Sequence, residues 1–266
     1  MRGYVEFVRV CPPTDTEALR SYGDARTQRL LQAGLAGYIV AGEPPQCGRR
    51  TCDANQSIHC YTPDVIVDTL TEHLSWLPVE TDVRLCDDAR CTHFLERVFA
   101  YERLRRHLAA DPALTALPAF HGWHRLQLFA HDPERCRALD RLVDHVRPWS
   151  RAVDVREAYG RLFSEALALP VCPDRQAEAM MLAVGELAGI DDRCRSEIVD
   201  RIAAYRHGEV PLTVPLDLLT RQVRSIGSDA VRRQTYFHPC PAGLGPHLHD
   251  ASVVSTDSSR RGVRGP

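Results

Sequence analysis

Ten cysteines are the most reactive side chains in this chain, and they crowd toward its front: Cys11, Cys47, Cys52, Cys60, Cys86 and Cys91, then Cys136, Cys172, Cys194 and Cys240. The opening Met1-Arg2-Gly3-Tyr4-Val5-Glu6 lacks the apolar run of an export signal, so the expected setting is the cytoplasm, where thiols stay reduced. The front cluster is therefore read as metal binding or as inert buried thiols, not as a disulfide framework. Two of the cysteines are placed alike. Val5-Glu6-Phe7-Val8-Arg9-Val10 alternates apolar with polar, as a strand does, and runs into Cys11-Pro12-Pro13. Gly37-Tyr38-Ile39-Val40 is a short apolar strand that runs into a Gly/Pro loop carrying Cys47. Ligands in open α/β sheets sit beyond the ends of parallel strands, so Cys11 and Cys47 are the expected pair at a shared metal or cofactor edge. A zinc site drawn from Cys47, Cys52, His59, Cys60, Cys86 and Cys91 is the alternative. Its four-residue spacers, Cys47 to Cys52 and Cys86 to Cys91, are wider than those of zinc knuckles.

The second constellation lies in Phe120-His121-Gly122-Trp123-His124-Arg125, followed by His131. On a helix His121, His124, Arg125 and His131 share one broad face. Such a face can grip phosphate or a base edge, ligate a metal, or tie helix ends together inside a core. Electrostatics do not choose between these. All 33 basic residues are arginine, which suits phosphate and base stacking better than lysine, yet a GC-rich genome alone would produce the same bias. The formal net charge is −2. RNA contact would need a local patch, and nothing points to DNA.

The elements that must carry these residues fall into two kinds. Ahead of residue 92 the pattern is strand, helix (16–33), strand, helix (64–75) and the short extended piece Leu77-Pro78-Val79-Glu80. This is an α/β front segment with a small, incomplete parallel sheet. Amphipathic segments separated by proline breaks follow at 92–109, 113–130, 133–146, 155–167, 175–187 and 194–205, which define an all-α domain. An extended link at 210–215, held open by Pro211 and Pro215, is expected to divide the last helices. The expected divisions are 1–96, 97–250 and a disordered tail at 251–266, where bulky residues are few. No apolar run approaches the length of a membrane span.

The stretches Phe120-His121-Gly122-Trp123-His124-Arg125 and Tyr205-Arg206-His207-Gly208-Glu209-Val210-Pro211-Leu212-Thr213-Val214-Pro215-Leu216 closely resemble the hallmarks of the YbgA-like domain family. Gln234-Thr235-Tyr236-Phe237-His238-Pro239-Cys240-Pro241 is similar to that family's closing motif. The resemblance covers about residues 102–241 and implies an all-helical domain. Fused behind a sulfur-removing domain, such a domain is thought to hold the RNA substrate. Any such RNA contact is expected to use His121, His124, Arg125 and Arg206, which combine donors with planar groups suited to stacking or phosphate contact.

The front resembles that fusion partner, the thiouracil-desulfurase (TudS, YbbK-like) domain. The resemblance rests on Val8-Arg9-Val10-Cys11-Pro12, on Gly37-Tyr38-Ile39-Val40 with Pro44-Pro45-Gln46-Cys47-Gly48, and on the junction Leu77-Pro78-Val79-Glu80 and Phe94-Leu95-Glu96-Arg97-Val98-Phe99-Ala100-Tyr101. Fusions of this kind resemble tRNA 4-thiouridine desulfidases. The resemblance implies a 4Fe–4S cluster held by three thiolates, whose open iron polarises a C–S bond for attack by water. Four departures bear on this. The family's first Cys-Leu-x-Gly turn is absent. Pro13 stands where the family has a Glu suited to proton transfer. Pro44 and Gln46 replace serines, and the stretch between Cys11 and Cys47 is short. Cys11 and Cys47 remain as metal ligands, with Cys52 or Cys60 as a possible third, and no catalytic residue is assigned. The sequence thus reads as an RNA-associated protein of the desulfidase type with an eroded catalytic segment. The alternatives are an active desulfidase with a mis-assigned start and a zinc-stabilised interaction protein.

Overall fold

The computed structural model describes residues 35–40, 76–146 and 151–241 of the chain. Cys11, Cys47, Cys52, His59 and Cys60, the strand expected at 5–10, the helices expected at 16–33 and 64–75, and the tail from 251 lie outside the described residues.

The front segment contributes two short strands, β1 (Tyr38–Val40) and β2 (Val79–Thr81). They pair in parallel, with Tyr38 opposite Val79, Ile39 opposite Glu80 and Val40 opposite Thr81. A parallel pair needs a crossover rather than a hairpin, consistent with the α/β reading of this region. Gly37 sits where the sheet meets the helices. A Cβ there would lie 2.6 Å from Val98 Cγ2 and 3.3 Å from the Phe94 ring, so only glycine lets the chain pass this close.

Beyond β2 a single 3₁₀ turn (Arg84–Cys86) leads into α1 (Asp88–Ala110), whose first turn is capped by the Asp87 carboxylate accepting from Arg90 N–H at 2.8 Å. The domain continues through α2 (Leu117–His131), α3 (Pro133–Asp144), α4 (Ala152–Ala168), α5 (Pro173–Gly185), α6 (Asp192–Arg206), α7 (Thr213–Ile226) and the short α8 (Asp229–Arg232), and closes with a 3₁₀ turn at Thr235–Phe237. Several boundaries have evident local causes. Asp132 ends α2 and caps α3, its carboxylate accepting from Glu134 N–H (3.0 Å) and Arg135 N–H (3.1 Å), with Pro133 at the first helical position. Gly208, at φ +75°, closes α6, and Glu209 N–H returns to the Ala204 carbonyl at 2.9 Å.

The link expected at 210–215 is shorter than its prolines suggest. Helix α7 begins at Thr213 and takes Pro215 into its first turn. Amides of a first turn have no intrahelical acceptor, so a proline there costs no hydrogen bond.

Two apolar clusters hold the bundle, and α2 serves both. Leu117, Phe120 and Leu128 join Leu104, Leu139, Tyr159 and Phe163 in a cluster between α1, α3 and α4. Leu126 and Ala130 join Met180, Val184, Ile198, Ile202, Leu219 and Tyr236 in a second, between α5, α6, α7 and the closing segment. Phe129 packs against both. A helix covered on two sides must satisfy whatever polar groups it carries from within, and α2 carries three histidines and a glutamine in its buried set.

Candidate functional site

The histidines of α2 form the centre of a polar belt. His121 is 5 % exposed, with Nε2 2.8 Å from Asp140 Oδ1 and Nδ1 3.2 Å from the Tyr159 hydroxyl. His124 is 1 % exposed. Its Nδ1 lies 2.9 Å from the Phe120 carbonyl, and its Nε2 accepts from Arg103 Nε at 3.2 Å. Burial, with the nearby Arg103 charge, pushes its pKa down to about 3. The ring is therefore neutral, with Nδ1–H donating to the carbonyl.

Two turns further on, on the same side of α2, lies His131. Nδ1 lies 2.6 Å from the Leu169 carbonyl, and Nε2 lies 3.3 Å from Glu96 Oε1 on α1. Burial disfavours charge on both partners. Their mutual attraction outweighs it, raising the His131 pKa and holding the Glu96 carboxyl well below the usual carboxylate range. Gln127 Nε2 also donates to Glu96 Oε1 at 2.8 Å. His93, stacked on His131 at 5.5 Å, has Nε2 2.8 Å from the Leu167 carbonyl. Burial and the His131 charge lower its pKa.

The closing segment completes the belt. Thr235 Oγ1 donates to Gln127 Oε1 (2.7 Å), and Gln234 Nε2 donates to the Gly122 carbonyl (2.8 Å). Arg103 Nη1 donates to the Pro239 carbonyl at 2.9 Å, and Arg233 stacks over Trp123 at 5.6 Å. Hydrogen bonds thus run from α1 through α2 to residues 234–239. The segments that read as separate motifs in the sequence meet here, and each supplies what another lacks.

Of the four expected RNA-contact residues, the structure brings His121 and Arg125 together and sets Arg206 elsewhere. Arg125 donates Nε to Asp140 Oδ1 (3.0 Å) and Nη2 to Oδ2 (3.3 Å), on the carboxylate that His121 also holds, and its side chain is 42 % exposed. Arg206, at the end of α6, donates Nε to Asp174 Oδ1 at 2.6 Å on α5 and is mostly exposed. His121 and His124 are shut off from solvent, so direct contact through either ring would require the core to open. Glu96, Gln127 and Arg103 were missed as polar partners by sequence reasoning. Their spacing gave no sign of them, because their roles depend on which helices pack together.

Cys86 is exposed and Cys91 half-buried, and both are free thiols. Among the described residues no three His, Cys, Asp or Glu side chains are grouped to hold a metal ion. The ligands expected for a cluster, Cys11, Cys47 and Cys52 or Cys60, lie outside that set. No helix of the described residues is long and apolar enough to cross a membrane.

Residues 125–241 match the family described as "Protein of unknown function (DUF1722)". The chain is also similar to the "Uncharacterized protein YbgA" of Escherichia coli (strain K12), at 26 % identity over 148 residues, covering 55 % of this chain and 88 % of that one. No solved structure matches. These matches support a YbgA-like helical domain. The family match lies wholly within the helical part of the chain.

Proposed function

We propose that this chain is an RNA-associated protein in which the helical domain holds an RNA strand at a fixed place beside the front segment. The front is read as a desulfurase-type domain that carries Cys11 and Cys47 of the thiolate set. The observation that carries the proposal is the build of α1. It leaves β2 after one turn, packs Phe94 and Val98 against Gly37, and runs on as a single 23-residue helix into the bundle. Its Glu96 and Arg103 are then fixed by α2 and the closing segment. No flexible linker separates β2 from the bundle, so a strand gripped by the helices keeps its position relative to the front sheet. This suits a domain that presents a polymer to a neighbouring centre.

Within this reading, RNA contact passes from the buried rings to the arginines they support. His121 fixes Asp140, Asp140 orients Arg125, and Nη1 of Arg125 stays available for phosphate. Arg206 likewise spends only Nε on Asp174. The test is binding of labelled tRNA to the full chain across a salt series. Binding that weakens as salt rises is the expected result, since each released phosphate counterion steepens the dependence. Absence of binding at low salt would overturn the proposal.

A further inference from the structure

The geometry points to a groove between α1 and α4 as the seat of one unpaired nucleotide of an RNA strand, an inference that rests on the RNA-holding reading above. The groove encloses about 560 Å³, within the range of roughly 300–1,000 Å³ typical of small-ligand sites. At one end stand Trp76 and Tyr101, their rings 5.4 Å apart and tilted by 30°. Along its edges stand Arg105, Arg156 and Arg161. The floor is apolar, formed by Leu104 and Leu108, and is kept open by Gly160, where an added Cβ would meet nothing within 4 Å.

Charge complementarity selects the occupant. Among the described residues, three guanidiniums line the groove against one carboxylate, Glu157. Arg105 is tied to Glu102, but that carboxylate also holds Arg106 at 2.6 Å and so serves two cations. Arg161 is exposed and has no hydrogen bond or ion pair among the described residues. Arg156 donates Nη2 to the Pro112 carbonyl (3.1 Å), while its buried Nε has no partner. A buried donor without an acceptor is costly, and the groove-lining Arg156 carries one. Aromatic faces beside arginines are the chemistry by which single-stranded nucleic acids are held, the base stacking and the backbone paired. A base-paired strand does not fit, since its bases are not free to enter.

The experiment uses the full chain, a fluorescent unpaired oligouridylate, the same oligomer paired to its complement, and tRNA, read by anisotropy. Two variants probe the groove. Gly160→Leu fills it from a position with open space around it, and Arg161→Ala removes the unpaired cation. Both are expected to weaken oligouridylate binding, Gly160→Leu by roughly 10-fold as stacking is lost, and Arg161→Ala with a salt slope reduced by about one. Neither should lower the melting temperature. The parent should favour the unpaired oligomer over the duplex. If parent and variants bind RNA alike, the groove is wrong while the RNA reading stands. If the parent binds no RNA, both fail. Equal affinity for the duplex, or displacement of the oligomer by an acidic aromatic peptide but not by uridine monophosphate, would also overturn the inference. Should Gly160→Leu fail to fold, Arg161→Ala alone decides.

Discussion

The polar side chains of this domain divide into two regions that behave in opposite ways. In the belt around α2, most donors and acceptors meet inside the fold: His121 with Asp140 and Tyr159, His124 with Arg103, Thr235 with Gln127, and His131 with Glu96 as an ion pair at 3.3 Å too poorly aligned for a hydrogen bond, while Arg103 Nη2 is buried without an acceptor. In the groove between α1 and α4, Arg161 is exposed with no ion pair among the described residues, and the Arg156 Nε is buried without an acceptor. The belt carries the letters by which the domain is recognised in sequence. The groove carries no motif. Recognisable spacing here reports how three segments are locked together, and arginines gathered beside aromatic faces at an open groove mark where a ligand would go.

The largest expected effect breaks the belt. His131→Ala leaves the Glu96 carboxylate in a largely buried site without its cation. Removing one partner of such a pair costs about 3 kcal/mol, so chemical denaturation should show a much lowered midpoint. Arg161→Ala, by contrast, should leave the midpoint within about 0.5 kcal/mol of the parent. Equal losses in the two variants would erase the distinction.

The pH dependence of stability should carry the belt's signature. The His131 pKa is raised in the folded state. Its stabilising contribution is therefore complete below about 6.5 and is lost as pH rises through the folded value. His124 shifts the other way, to about 3. Its neutral form is favoured, and the contribution present above about 6.5 is lost as pH falls toward 3. The Glu96 contribution, from a depressed pKa, is present above about 4.3 and is lost at lower pH. Thermal melts from pH 4 to 9 should show a decline on both sides, and His131→Gln should flatten the alkaline limb. An unchanged alkaline limb would show that the pair does not form.

Much of the fold was legible. The helical segments from 92 onward sit within a few residues of α1 to α6, because apolar periodicity and proline breaks act locally. Leu77 to Glu80 was read as extended, and β2 occupies Val79–Thr81. Pro215 misled, since a proline reads as a helix breaker unless the helix start is already known. The site was less legible. A histidine and an arginine three or four apart on α2 look alike in sequence, and only the positions of Asp140 and Arg103, on other helices, decide that one is enclosed and the other reaches water. Trp76, Tyr101 and the adjacent pair Gly160 and Arg161 come from three separate places in the chain, and no pattern links them.

A smaller effect concerns the surface pairs. Arg125→Ala and Arg206→Ala remove partly exposed ion pairs, each worth about 1 kcal/mol or less. They should weaken tRNA binding more than they weaken the fold, which parallel melting and binding measurements would separate. The front segment makes its own, independent prediction. On the reading of the front as a desulfurase-type segment whose thiolates are Cys11 and Cys47, anaerobically purified chain should carry well under four irons per molecule, since two thiolates do not hold a cluster that needs three. A stable complement of about four irons would require Cys52 or Cys60 to complete the set, and Cys52→Ser and Cys60→Ser would show which.

The most direct test of the central claim is hydrogen–deuterium exchange of the full chain with and without saturating tRNA. The account requires added protection in the second half of α1 and the first half of α4, around Arg105 and Arg156–Arg161. The backbone amides at the centre of α2 should exchange slowly in both samples and change little, since Arg125 meets RNA through its side chain and those amides are already buried. Protection confined to α2 with none at the groove, or no protection anywhere, would contradict the assignment of the belt to architecture and of the groove to RNA.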